Sequence, residues 1–285
     1  MAGRLRSLLA GVFLACIGIA APLTLGHTRP DSAAQQPRRA PAYTGPVSLT
    51  PTLPDGRTLR FLGAPATPGG PGAAIATRVT ADIGAAADAV DGFWGTDWPR
   101  EIVVEIADTG TEFAHRTGLA GADIAAAAVA DHIDAATHTA TGARIVLAPG
   151  VLQISEQDFR IVLTHELFHY ATRAVTATDT ARWVQEGVAD HVARPAPAPG
   201  TAPVPDRLPT DADFTVTDPG QLSAAYDRAW GFARYLASRG GPERLREFYA
   251  RAAGPGHPDA GVALTQVFGA TGPELLADWR AAAGR

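Results

Sequence analysis

Two histidines four positions apart bracket a glutamate in the run His165-Glu166-Leu167-Phe168-His169. On a helix, residues i and i+4 share a face, so both imidazoles can turn a nitrogen to the same cation. Glu166 lies one residue on, about 100° around the axis. It is too far round to be a third ligand on that face, yet it can reach a water held by the metal. A histidine pair that grips a cation, beside a carboxylate that handles a proton, is the equipment of metal-assisted hydrolysis. The chain has eight histidines in 285 residues, and chance matches to this pattern are expected on the order of 0.01 times in such a sequence.

A zinc ion in a hydrolytic site takes a third protein ligand and leaves one position open. The chain has one cysteine, Cys16, which excludes an intramolecular disulfide and a cysteine-rich metal site. The ligand must come from His, Asp or Glu, and several residues qualify. The best placed is Glu186, in Trp183-Val184-Gln185-Glu186-Gly187-Val188-Ala189-Asp190, which follows His169 by 17 positions. That gap lets one helix end, a short loop turn, and a second helix pack back on the first. Asp190 is four residues beyond Glu186, hence on the same face, where it can accept the other ring N–H of a metal-bound histidine and fix its tautomer. The competing reading, a solvated acidic face, sits poorly with Trp183, Val184 and Val188. His115, His132, His138 and His257 have no ligand spacing and read as surface or locally bonded residues.

The elements that must hold these groups follow from pattern. Ser155 is an N-cap, with Asp158 three residues later, for a helix running to about Arg173. Its apolar neighbours Val162, Leu163, Leu167 and Phe168 predict a largely buried helix. A second helix is expected over about 180–192, and three more over about 219–239, 242–252 and 273–283. Gly240-Gly241 ends the first of these three, Pro242 starts the next, and Thr271 with Glu274 resembles a capping box. Upstream, Ala73–Phe93 has Ile75, Val79, Ile83 and Val90 at helical spacing. Glu101–Ala107 and Arg144–Ala148 read as strands and Thr111–Arg116 as a short helix. Ala125–Ile133 is ambiguous between helix and extended chain. The Arg144–Ala148 strand is the one expected to offer a free edge to an extended peptide. The order is a small mixed β-sheet and helix part followed by an all-helical part, an α+β class.

Composition bounds the rest. Hydrophobic residues make up 46% and charged residues 19%, enough apolar content for a real core. The net charge is −5 and all 24 basic residues are arginine; no basic face suggests a nucleic-acid partner. With no asparagine, N-glycosylation is excluded. Arg4 and Arg6 precede an apolar run from Leu8 to Leu25, so residues 1–26 read as a signal peptide or an N-terminal membrane anchor. Either way the segment engages membrane or export machinery, and the remainder is extracytoplasmic, secreted or held at the cell membrane. Residues 27–42 read as a disordered linker. Residues 43–285 form the main domain, with 43–72 a β-hairpin-like extension around Pro54-Asp55-Gly56 and a Pro-rich insert at 195–210.

The segments HELFHY and WVQEGVADH resemble the gluzincin group of zinc metallopeptidases, in particular the peptidase-MA-like family, in which HExxH is followed by W-x-x-E-G-x-A. A metzincin would have Gly at 172 and His at 175; here these are Thr172 and Val175. The run Ala225–Leu236 resembles the helix that follows in the peptidase-MA-like family, and Arg144–Leu147 the strand bordering its substrate cleft. The resemblance covers about residues 73–283. It implies a zincin-like fold with the cleft between the two parts, one Zn²⁺ on His165, His169 and Glu186, Glu166 as catalytic base, and Asp190 behind the ligands. It implies hydrolysis of a peptide or protein substrate. Tyr226 is the first candidate to stabilise the oxyanion, against the reading of a core aromatic, and His191 the second. The Pro-rich insert departs from relatives. The alternative function is a non-catalytic cell-envelope binding or scaffold protein that retains a structural zinc.

Overall fold

The structure, a computed structural model, describes residues 51–62, 69–119, 124–198 and 203–283. The expected signal or anchor segment, the linker and part of the Pro-rich insert lie outside them. Among the described residues the chain is a mixed α+β fold, and no helix is long and apolar enough to cross a membrane. Its strands come early: β1 (Thr58–Leu62), β2 (Glu101–Ile106), β3 (Ala126–Val129), β4 (His132–Asp134), β5 (Thr139–Thr141) and β6 (Arg144–Leu147). Helices α1 (Pro71–Trp94) and α2 (Gly110–Thr117) are interleaved with them. Six more helices follow: α3 (Glu156–Thr172), α4 (Arg182–Ala193), α5 (Pro219–Gly240), α6 (Pro242–Ala253), α7 (Ala260–Phe268) and α8 (Gly272–Ala283).

The main sheet has the order β1-β2-β6-β3, with β1, β2 and β6 parallel and β3 antiparallel to β6. Parallel strands covered on both faces read as continuous apolar runs, as in Ile102-Val103-Val104. One face carries Leu59, Ile102, Val104, Ala126, Ala128, Ile145 and Leu147 against α1 and α3. The other packs Val146, Ala127 and Val129 beneath Phe113 of α2 and Leu119. Helix α1 starts on Pro71 and buries the stripe Ile75, Val79, Ile83, Val90 and Phe93, which is the spacing seen in the sequence.

Two expectations change here. The strand at 144–147 has no free edge: β6 is sandwiched between β2 and β3, and the edge strands are β1 and β3. The ambiguous stretch 125–133 is extended, giving β3 and then β4, because its alanines are buried between two helical layers rather than forming one of their own. Small side chains at Ala126 and Ala128 let α3 approach the sheet closely. Among the described residues of 43–72, Thr58–Leu62 joins the main sheet parallel to β2, and antiparallel pairing near the turn is limited to the bridge Thr52–Thr58.

The helical part matches its expected order, with one addition. Helix α7 was not foreseen, since its run is short and enclosed by Gly and Pro. Asp259 caps it by accepting from Gly261 N at 2.7 Å, and Gly269 in the left-handed region ends it. Helices α4 and α5 meet at Gly187, where a Cβ would stand 2.6 Å from the Ala229 carbonyl oxygen.

Candidate metal centre

Helix α3 begins as its sequence dictates. The Ser155 hydroxyl accepts from Asp158 N at 3.1 Å, and Glu156 and Asp158 put negative charge on the first turn, where the helix dipole favours it. From Phe159 to Thr172 only Arg160 is exposed, so α3 is a central helix packed on all sides. Its polar groups are therefore sealed: His165 and Glu166 are 0% and His169 2% exposed.

Helix α4 runs beside it. Its first residue lacks a side-chain cap of its own, and Asp211 from a neighbouring 3-10 turn accepts from Trp183 N at 3.2 Å instead. Trp183 packs against Phe232 and Phe248, which fixes the rotation of α4 and turns Glu186 and Asp190 toward α3. Both carboxylates are 0% exposed.

The three expected ligands converge. His165 Nε2 and His169 Nε2 are 3.0 Å apart. Glu186 Oε2 is 3.2 Å from His165 Nε2 and 3.8 Å from His169 Nε2. Ligand atoms about 2.0–2.2 Å from one tetrahedral zinc lie about 3.3–3.6 Å from each other, so these edges are close to those of one ion. The chemistry of the donors fits as well. Both oxygens of Glu186 are buried without a hydrogen-bond partner, and buried carboxylate oxygens are rarely left so. Among the described residues this is the one group of His, Cys, Asp or Glu whose ligand atoms come together in this way.

Behind the ligands a charged stripe orders the site. His165 Nδ1 is 2.9 Å from Asp190 Oδ1, which leaves Nε2 for a cation. Asp190 Oδ2 pairs with Arg194 Nη2 at 2.8 Å, and Arg194 Nη1 reaches Asp227 Oδ1 at 2.8 Å. At the other end, Arg182 Nε is 3.6 Å from Glu186 Oε1. Arg182, Glu186 and Asp190 thus recur every fourth residue along one face of α4, and Arg194, its C-cap, continues the spacing. Sequence reasoning missed both arginines, although the same i, i+4 spacing that identified Asp190 continues to them.

Without a metal, opposite charges hold this cluster together. Burial would lower the pKa of His165, but the Asp190 and Glu186 carboxylates outweigh it and hold the imidazole up at about 10. Burial likewise opposes ionisation of Glu186, and the two histidines overcome it, keeping the carboxyl far below the usual range. A positive charge is thus demanded at the point where the ligand atoms meet.

Glu166 stands on the sheet side of the pair. Its Oε2 accepts from Ala128 N of the edge strand at 2.6 Å. Tyr226 of α5 is buried against Phe214, and its hydroxyl accepts from Arg182 Nη2 at 3.4 Å; it is linked to Glu186 through that guanidinium. His191 is not brought to the ligands. It sits edge-on to Phe93, and burial followed by the nearby Arg234 lowers its pKa. Of the four histidines read as surface or locally bonded, His257 bonds Pro258 O at 2.9 Å. A comparison with protein-family models and with curated proteins finds no match.

Proposed function

We propose that this chain is an exported zinc-dependent metallopeptidase of the gluzincin type, with a zincin-like fold whose cleft lies between the sheet-bearing part and the helical part. The observation that carries the reading is the meeting of His165, His169 and Glu186, from two helices, around buried carboxylate oxygens that have no hydrogen-bond partner. A structural zinc site is closed by four protein ligands, whereas a hydrolytic one keeps a position open. Among the described residues three ligands converge, which supports turnover over a scaffold role. Export rests on the apolar N-terminal segment and its arginines.

A bound zinc would polarise the scissile carbonyl and acidify water. The residues of the chain do the rest. His165 and His169 would hold the ion through Nε2, and Glu186 would give it a carboxylate oxygen. Asp190 keeps the His165 proton on Nδ1. Glu166, steadied at Oε2 by Ala128 N–H, takes the proton of the attacking water and passes it to the leaving amine. Tyr226, with the Arg182 guanidinium beside it, supplies the donor to the developing oxyanion.

Peptide backbone binding falls to β3. Ala125 O and Asp131 N bond inward, to Ala148 and Thr141, so the alternation of a strand turns the backbone groups of Ala126 and Ala128 to the opposite side, where Ala128 N–H donates to Glu166 Oε2.

The experiment is metal analysis of the purified protein together with cleavage of unfolded proteins and peptide libraries, with and without a chelator. Glu166→Gln is expected to keep its zinc and to lose activity by about 10²–10⁴-fold. Full activity in that variant, or metal-free protein indifferent to zinc, overturns the reading.

A further inference from the structure

Arg173 is 3% exposed, and its side chain forms no hydrogen bond, ion pair or ring contact with any described residue; Nε is sealed without a partner. An arginine stays protonated, and a buried cation with no counter-charge is costly to hold. Such a group either burdens the fold or waits for an anion.

Its position says which. Arg173 is the C-cap of α3, at φ −53° and ψ −43°, where Thr172 at φ −92° and ψ −5° tightens the chain into a 3-10 turn. With His165 at zero, helical geometry puts His169 at about 40°, Arg173 at about 80° and Glu166 at about 100° around α3. Arg173 therefore continues the stripe that faces the reacting groups, between the ligand line and the base. It lies about 10 Å along the axis from Glu166 by the rise per residue, about three residues of extended peptide.

The neighbouring acids are already engaged. The β4–β5 hairpin, which prolongs β3, packs against the turn Arg173–Val175. In that hairpin Asp134 Oδ1 accepts from Ala136 N and Thr137 N at 3.0 and 3.2 Å. Asp131, just before β4, pairs with Arg144 at 2.7 Å. The hairpin packs on the turn that carries Arg173, and neither acid forms an ion pair with its guanidinium.

We infer that Arg173 is a carboxylate-recognition site, and that the preferred substrates are peptides with a carboxylate about three residues from the scissile bond, on the hairpin side. The planar guanidinium suits two-point binding of a carboxylate. The carboxylate is an acidic side chain or a chain terminus. The inference rests on the peptidase reading above and adds a substrate class to it.

The test uses the zinc-loaded full chain and matched fluorogenic peptides. One series carries Glu or Gln at successive positions on either side of the scissile bond, with an amidated C-terminus. A second, with Gln inside, has a free or an amidated C-terminus. Wild type is expected to favour the carboxylate member of one series by about tenfold or more in kcat/KM, because a site built for a polar group rejects the analogue that cannot pair with it. Preference in the first series assigns the side chain, in the second the terminus. Arg173→Gln is expected to abolish the preference, and Arg173→Lys, which keeps charge and loses the fork, to retain part of it. Removing an unpaired buried charge is also expected to raise the melting temperature of Arg173→Gln.

Fluorescence anisotropy of the same peptides, labelled, on zinc-loaded Glu166→Gln protein gives a readout without turnover, and the carboxylate member should bind more tightly. Cleavage with no carboxylate preference, or a preference that survives in Arg173→Gln, overturns this inference and leaves the peptidase intact. Neither cleavage nor binding of any peptide overturns both.

Discussion

His165 Nδ1 and Asp190 Oδ1 stand 2.9 Å apart, both fully buried, and that contact decides which imidazole nitrogen meets the cation. Arg194 holds the other carboxylate oxygen of Asp190 at 2.8 Å, so the acid cannot swing away. Asp190→Ala is expected to weaken zinc binding by about 10–100-fold, the usual effect of removing such a partner. Competition against a chromophoric chelator measures it. Wild-type affinity would remove Asp190 from any orienting role.

Gly187 follows the ligand Glu186 at the closest approach of α4 to α5. A Cβ there meets backbone at 2.6 Å, and backbone cannot rotate aside. Gly187→Ala is expected to push the helices apart, destabilising the protein by about 1–3 kcal/mol as overpacking does, and to weaken zinc binding by tilting Glu186. Thermal melts and zinc titration would read both effects; an unchanged melt shows that the helices give way freely.

The site also ties metal binding to pH. In the metal-free protein the His165 pKa is raised from 6.5 to about 10. A raised folded-state pKa contributes stability in full below the unfolded value, and that contribution fades as pH climbs through 10. Zinc needs the same nitrogen unprotonated, so its affinity moves the opposite way. Metal-free protein should therefore melt lower as pH rises from 6.5 toward 10, while the increase in melting temperature on adding zinc grows. Melts across that range, with and without zinc, test this; an increase that does not vary with pH counts against proton displacement at His165.

The end of the Pro-rich insert and the turn that follows it are fastened by Asp213. Its carboxylate accepts from Arg207 Nη1 at 2.8 Å and from Thr210 N at 2.8 Å, and Arg228 of α5 is 3.5 Å away. The Arg207 contact, with burial opposing and Thr210 assisting, lowers the Asp213 pKa to about 2. For a lowered acid the stabilisation is present above the unfolded value, 3.8, and is lost as pH falls through 2. Asp213→Asn should mimic that loss at neutral pH and open residues 203–218 to limited proteolysis. A cleavage pattern identical to wild type would show that other contacts fasten the segment.

Much of this site is local and so was legible. His165, Glu166 and His169 depend on one helix, whose N-cap Ser155 and apolar flanks are written within twenty residues. Asp190 follows from Glu186 by the same periodicity, and Arg182 and Arg194 were open to that reasoning but were not reached by it. Arg173, one turn beyond His169, carried no signal in sequence, because an arginine near a helix end is ordinarily solvated; only its burial without a partner sets it apart.

The sequence by itself determined which residues lie on one face of α3 and one face of α4, since helical periodicity needs no other part of the chain. Only the tertiary structure decided that those two faces look at each other, and that β3 rather than β6 is the edge strand beside Glu166. Strand order and helix docking are settled by apolar surfaces buried between segments far apart in sequence. The alanines of β3 have no pattern of their own to announce where they will pack.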